Sequence, residues 1–207
     1  MAHILHIDSS PRTERSHSRR LSYEFITGWK DAHPNDTVTY RDLGHYCLPF
    51  VSEQWIAAAF TPPEIRTPEL NQAIQISDTL IDEFLAADRY VFGIPMYNFS
   101  VPSAFKAYID QVIRINRTFV IEEEGFRGLV DGRKKMLIIA TSGGTYRLGT
   151  SLANYNFHEP YLRTVFGSIG LTDLTFVYAD NMDMGQEARE QSLIEAHATI
   201  KELVASW

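Results

Sequence analysis

The chain has 207 residues, 44% of them hydrophobic and 22% charged, a composition that supports one packed domain spanning residues 1–207. A formal net charge of −7 argues against a nucleic-acid binder that works by neutralising phosphates, and no stretch approaches the roughly 18 apolar residues of a membrane span. The single cysteine, Cys47, has no internal disulfide partner and is expected to fill space beside Leu48, which fits an unprocessed protein of a reducing, cytoplasmic compartment.

The first element is "HILHID" (3–8), an apolar run of strand type. After it, "SSPRTERSHSRRL" (9–21) gathers Ser9, Ser10, Ser16 and Ser18 where a helix from Ser18 to His33 begins, marked by Leu21, Phe25 and Trp29 at four-residue spacing. A helix start carries unpaired N–H groups and partial positive charge, so small hydroxyls there suit a phosphate. Arg12, Arg15, Arg19 and Arg20 make the segment basic, and His17 is expected to offer its backbone N–H. No G-x-x-x-x-G-K-S/T or G-x-G-x-x-G pattern accompanies it, which disfavours a nucleoside triphosphate or a Rossmann dinucleotide.

A second strand, "TVTYRDL" (37–43), leads into residues 44–66, too long for an ordinary crossover and rich in aromatics and proline, a segment expected to be functional or interfacial. A helix from Thr67 to Ala87 follows, with Thr67 as cap and Pro68 in its first turn. The third strand, "DRYVFGI" (88–94), ends on Pro95 and gives way to Met96, Tyr97, Asn98 and Phe99 before a helix over Ser103 to Asn116. Aromatic and thioether groups beside exposed backbone amides suit a planar heteroaromatic ring. Asn98 speaks against a purely core-filling loop, because a buried amide needs partners. Residues 113–134 are again aromatic and glycine-bearing and suit an interface. The fourth strand, "KKMLIIA" (134–140), runs into "TSGGTYRLG", where Gly143 and Gly144 allow positive φ and close backbone approach. A helix around Leu162–Ile169, a fifth strand "LTFVYAD" (174–180) and a helix over Gln186–Ser206 complete the chain.

Alternating strands and helices imply a parallel sheet covered on both faces, with ligands bound beyond the carboxyl ends of the strands. The loops after strands 1, 3 and 4 are therefore the candidate site. Other chemistries find little support. G-x-S-x-G is absent, His3 and His6 stand on opposite faces of one strand, and "FHEPY" lacks a second histidine, so neither a serine hydrolase nor a metal centre is expected.

From "HILHIDSS" through "LTDLTFVYAD", and most specifically in "PMYNFSVPSAFKAYID", the chain resembles the FMN-dependent NADH azoreductases, homodimeric quinone and azo-compound reductases. The resemblance implies an α/β, flavodoxin-like fold: a five-stranded parallel sheet with helices on both faces. It implies that Ser10 and the triplet Ser16, His17, Ser18 hold the FMN phosphate. Met96, Tyr97, Asn98 and Phe99 would lie along the isoalloxazine ring, and Thr141, Ser142, Gly143 and Gly144 would reach its pyrimidine edge. Ser142 stands where the family has arginine, a departure that removes that arginine's contact to cofactor or substrate. The reaction implied is two-step, with hydride passing from NADH or NADPH to the flavin and then two electrons to a quinone or azo compound. No side chain is expected to act as nucleophile, since the cofactor carries the chemistry. A non-enzymatic flavodoxin-type electron carrier is the alternative.

Overall fold

The computed structural model describes residues 1–207. Five parallel strands form one sheet: β1 (His3–Asp8), β2 (Thr37–Asp42), β3 (Arg89–Pro95), β6 (Lys135–Thr141) and β7 (Asp173–Ala179), in the order β2-β1-β3-β6-β7. Strands β4 (Phe119–Glu122) and β5 (Gly125–Gly128) form a separate antiparallel hairpin. The helices are α1 (His17–Ala32), α2 (Glu53–Phe60), α3 (Pro68–Ala86), α4 (Ser103–Val112), α5 (Glu159–Ser168) and α6 (Gln186–Ser206).

The two-residue period of a strand sends alternate side chains to opposite cores. Ile4, Val91, Leu137, Ile139 and Val177 meet Leu21, Phe25 and Trp29 of α1 and Ala196 and Ile200 of α6. Leu5, Ile7, Tyr90, Phe92, Ile94, Met136 and Ile138 face the other way, onto α3, α4 and α5. There Phe84, Tyr90, Phe92 and Phe166 pack ring to ring, with Phe84 and Tyr90 4.4 Å apart. Each such fully buried aromatic contributes about 2–3 kcal/mol of transfer free energy. The helices start where local chemistry lets them. Ser16 caps α1 by accepting from Arg19 N at 3.4 Å, and Thr67 caps α3 with Pro68 in the first turn.

Two segments are more regular than their sequence suggests. Residues 44–66 hold α2, capped by Ser52, whose Ala58 and Ala59 pack on Ile74 of α3. Buried Gln111 of α4 ties the segment down, accepting from Trp55 Nε1 at 2.7 Å and donating to the Pro49 carbonyl at 2.9 Å. The hairpin docks by its backbone: Gly128 lies so close to the end of α5 that a Cβ there would stand 2.0 Å from the Ile169 carbonyl carbon. Cys47, expected to be packed, is exposed instead, because the loop after β2 passes over the surface before α2 begins. No helix is long and apolar enough to cross a membrane.

The chain leaves β1 for the edge strand β2 and returns to β3 on β1's other side, so the crevice between the carboxyl ends of β1 and β3 lies where the strand order reverses.

Candidate functional site

The loop after β1 is clamped before it reaches α1. Ser9 donates to the Gly93 carbonyl from both its N–H and its hydroxyl, at 3.1 and 3.0 Å. The Ser10 carbonyl, joined to Pro11 and so without an N–H on its own peptide, accepts two bonds from Arg19, at 3.0 Å from Nε and 2.6 Å from Nη2. Arg19 is itself held by Asp42 at the end of β2, at 2.8 and 2.5 Å. It therefore braces the loop from behind rather than facing a ligand. At the start of α1, the Ser16 and Ser18 hydroxyls lie 3.2 Å apart, and the N–H groups of His17 and Ser18 have no partner within the chain. The His17 ring is fixed by chemistry: Arg20 lies 2.8 Å from its Nδ1, and a guanidinium can only donate, so Nδ1 accepts and the proton sits on Nε2. Burial and the positive charges of Arg20, Arg189 and Arg12 all push its pKa down, which keeps it a neutral donor.

At the end of β3, Pro95 pairs with Thr141, and Met96 donates to the Thr141 carbonyl at 2.7 Å. The next four residues close a tight turn, with Tyr97 N to Ser100 O at 2.9 Å and Ser100 N to Tyr97 O at 3.1 Å. Its two central residues, Asn98 and Phe99, have φ of 47° and 70°. Positive φ at both positions marks the primed turn that glycine and asparagine favour, and phenylalanine there is strained by about 1–2 kcal/mol. Tyr97, Asn98 and Phe99 are all exposed, so the loop does not fill the core. The ring of Phe99 instead leans on Tyr155 and Tyr146, at 5.4 and 5.9 Å between centroids.

After β6, Ser142 and Gly143 pair through their carbonyls with the backbone of Met182 and Asp183, both at 3.0 Å. Gly143 does not use positive φ, nor does Gly144. At Gly143 a Cβ would lie 2.6 Å from Asp183 Oδ2 and would push that carboxylate aside, whereas Gly144 has room.

These loops surround one cavity of about 480 Å³, within the range of small-molecule sites. Ser10, Ser16, His17, Met96, Tyr97, Asn98, Thr141, Ser142 and Gly143 line it. Ser18, Phe99 and Gly144 stand just behind the wall: Ser18 is buried against Ser16, and Phe99 is turned toward Tyr155. Arg12 and Pro95, noted in the sequence only as basic and sheet-breaking, also line it. Met182, Asp183 and Arg189 were not anticipated. Their signal was available, because β7 is the neighbour of β6 and its outgoing loop borders the same crevice. A second cavity, about 620 Å³, runs between α1 and β2 past Tyr23, Ile26, Val38 and Tyr40. Its buried Asp8 is already bonded to Ser22 and Tyr40.

Residues 2–204 match the family described as flavodoxin-like fold. The chain belongs to that family. It is 61% identical over 207 residues, the full length of both chains, to FMN-dependent NADH:quinone oxidoreductase 2 of Trichormus variabilis. It is 62% identical, again over the full length of both, to the FMN-dependent NADH:quinone oxidoreductase of Nostoc sp.. Among solved structures it superposes on the azoreductase AzrA with a TM-score of 0.92 at 29% identity, and on an azoreductase from Bacillus anthracis with 0.92 at 28%, each covering 100% of both chains.

Proposed function

We propose that this flavodoxin-like protein is an FMN-dependent NADH:quinone oxidoreductase that also reduces azo compounds. The observation that carries the reading is the convergence, in one cavity, of the unpartnered N–H groups opening α1 with a wall of Met96, Tyr97 and Asn98 and a glycine-lined edge. Ser10, Ser16, His17 and Ser18 hold the phosphate: hydroxyls, backbone N–H groups and the helix dipole all complement an anion there. Met96, Tyr97, Asn98 and Phe99 border the ring, the first three from the cavity wall and Phe99 by holding the turn against Tyr155. Thr141, Ser142, Gly143 and Gly144 reach its edge, where backbone N–H groups complement charge as in an oxyanion hole.

Bound FMN supplies the chemistry, accepting hydride from NADH and delivering two electrons to the acceptor. The chain orients both partners and needs no nucleophile of its own. The names of the relatives at 61% and 62% identity favour an enzyme over an electron carrier, and NADH over NADPH as donor. The working unit is a homodimer. Tyr46, Phe50, Phe60 and Phe126 are 69–81% exposed, more aromatic surface than a monomer normally leaves in water. Trp55 and Phe119, aromatics of the same two segments 44–66 and 113–134, are half-buried by the contacts that order α2 and the hairpin. The single exposed Cys47 suits a reducing, cytoplasmic setting.

The test is direct. Cofactor released by heat from the purified or reconstituted protein should co-elute with FMN, and the holoprotein should turn over NADH with a soluble quinone. Recovery of FAD, or no flavin uptake after reconstitution, overturns the cofactor assignment. Flavin reduced only by a partner protein and not by NADH returns the carrier reading.

A further inference from the structure

Resting on that reading, we infer that Arg189, together with Arg12, makes the cavity select a flavin carrying a terminal phosphate dianion.

Two arginines line the cavity, Arg12 from the loop after β1 and Arg189 from the first turn of α6. Neither forms an ion pair with a carboxylate of the chain, although the protein is acidic overall and most of its other arginines do. Arg189 is aimed rather than loose. Its Nε donates to the Met182 carbonyl at 2.8 Å, which fixes the guanidinium plane and leaves the terminal nitrogens without a partner in the chain. Arg12 is anchored by its backbone, whose N–H donates to Ser10 Oγ at 3.2 Å.

The two guanidiniums stand at the phosphate end. Both are close enough to His17 for their charges to depress its pKa, alongside burial and Arg20. The one carboxylate lining the cavity, Asp183, lies against Gly143, with its Oδ2 only 2.6 Å from where a Cβ of that glycine would be. Asp183 is felt at His17 as well, where its charge opposes that of the arginines, but it pairs with neither guanidinium, so two cations stand against one carboxylate along the cavity.

Hydroxyls and helix N–H groups bind any phosphate oxygen, but two uncompensated guanidiniums favour the group with most charge on one phosphorus. A phosphate monoester carries about −1.5 to −2 at neutral pH. Riboflavin has no such group, and the pyrophosphate of FAD carries its charge as diesters with an adenosine attached. Ser142, standing where the resembled family has arginine, leaves the other end of the cavity without this charge. Cationic recognition is concentrated on the phosphate.

The assay is flavin binding rather than turnover. The flavin-free full chain is titrated with FMN and, separately, with riboflavin, following quenching of flavin fluorescence at low and moderate ionic strength. Loss of one charge-assisted contact should raise the FMN Kd of Arg189→Gln about tenfold or more. The riboflavin Kd should stay within about twofold, and Arg189→Lys should recover part of the FMN affinity. Arg12→Gln, on an exposed loop, should act in the same direction, and wild type should lose FMN affinity with salt more steeply than either variant. FMN and riboflavin affinities falling together would mean that Arg189 only supports the loop through Met182, which overturns the assignment. An unmoved FMN Kd with a raised KM for NADH also overturns it, by placing the arginines on the donor. If wild type binds neither flavin, the cofactor reading itself fails, and this assignment with it.

Discussion

The turn at Asn98 separates two roles that a single alanine substitution would confuse. Asn98 sits at φ 47° with its side chain exposed on the cavity wall. Replacing it by alanine removes the amide and also forces a Cβ into the left-handed region without asparagine's tolerance for it. Replacing it by glycine removes the same amide at no steric cost. The backbone difference between the two replacements is about 1 kcal/mol, which for a 207-residue domain corresponds to about 2–4 °C in melting temperature. The flavin-free Asn98→Gly protein is therefore expected to melt close to wild type and Asn98→Ala about 2–4 °C lower. Both should bind FMN or reduce it with NADH about tenfold less well, the worth of one hydrogen bond of about 1–3 kcal/mol to a partly enclosed ring. Differential scanning fluorimetry of the flavin-free proteins, with FMN titration and stopped-flow flavin reduction, reads each quantity separately. Identical melting of the two variants would refute the left-handed turn. Normal FMN affinity and reduction rate in Asn98→Gly would refute the contact with the flavin.

Three further expectations follow from burial and close contact. His158 is 3% exposed and burial pushes its pKa down to about 4, so between pH 6.5 and 4 the unfolded chain takes up a proton that the folded chain refuses. Stability should be fully present above pH 6.5 and fall by up to about 3 kcal/mol toward pH 4, and urea midpoints of His158→Met should fall less steeply than wild type over that range. Phe126, 70% exposed at the hairpin tip, should contribute to the dimer: Phe126→Glu is expected to shift sedimentation toward monomer, and a wild-type protein that is an active monomer at micromolar concentration would contradict the assembly. Gly128→Ala places a Cβ against the backbone at Ile169 and Gly170 and should cost about 1–3 kcal/mol in chemical denaturation, while an unchanged midpoint would show that the hairpin shifts freely.

The five core strands and five of the six helices were legible because apolar period and punctuation agree there, as in Leu21, Phe25 and Trp29 between Ser16 and His33. Helix α2 was not. "EQWIAAAF" is apolar nearly all round and flanked by prolines, so its period is weak, and its stability comes from Ile74 and Gln111, far away in sequence. The hairpin was hidden for a related reason: its strands are four residues each, half exposed, and fixed by Gly128 against α5. At the cavity, residue type was readable where a local rule applies, as with serines at a helix start. The left-handed pair Asn98–Phe99 was not, since phenylalanine gives no sign of positive φ. Arg189 was missed because it joins the cavity only through the packing of α6 beside α1.

The sheet has two unequal ends. All the cavity loops leave from the carboxyl ends of β1, β3, β6 and β7, whereas the amino-end connections, apart from the one that carries the β4–β5 hairpin, are short, and local bonds such as Asp36 N to His33 O and Lys134 N to Asp131 O fasten the turns there, far from the cavity in the fold. One end can therefore drift or be re-engineered without consulting the other. Affinity handles, fluorophores or surface tethers inserted at residues 33–36 or 131–134 would orient the cavity outward from an electrode or bead, and libraries confined to the carboxyl-end loops could explore new acceptors on an unaltered chassis.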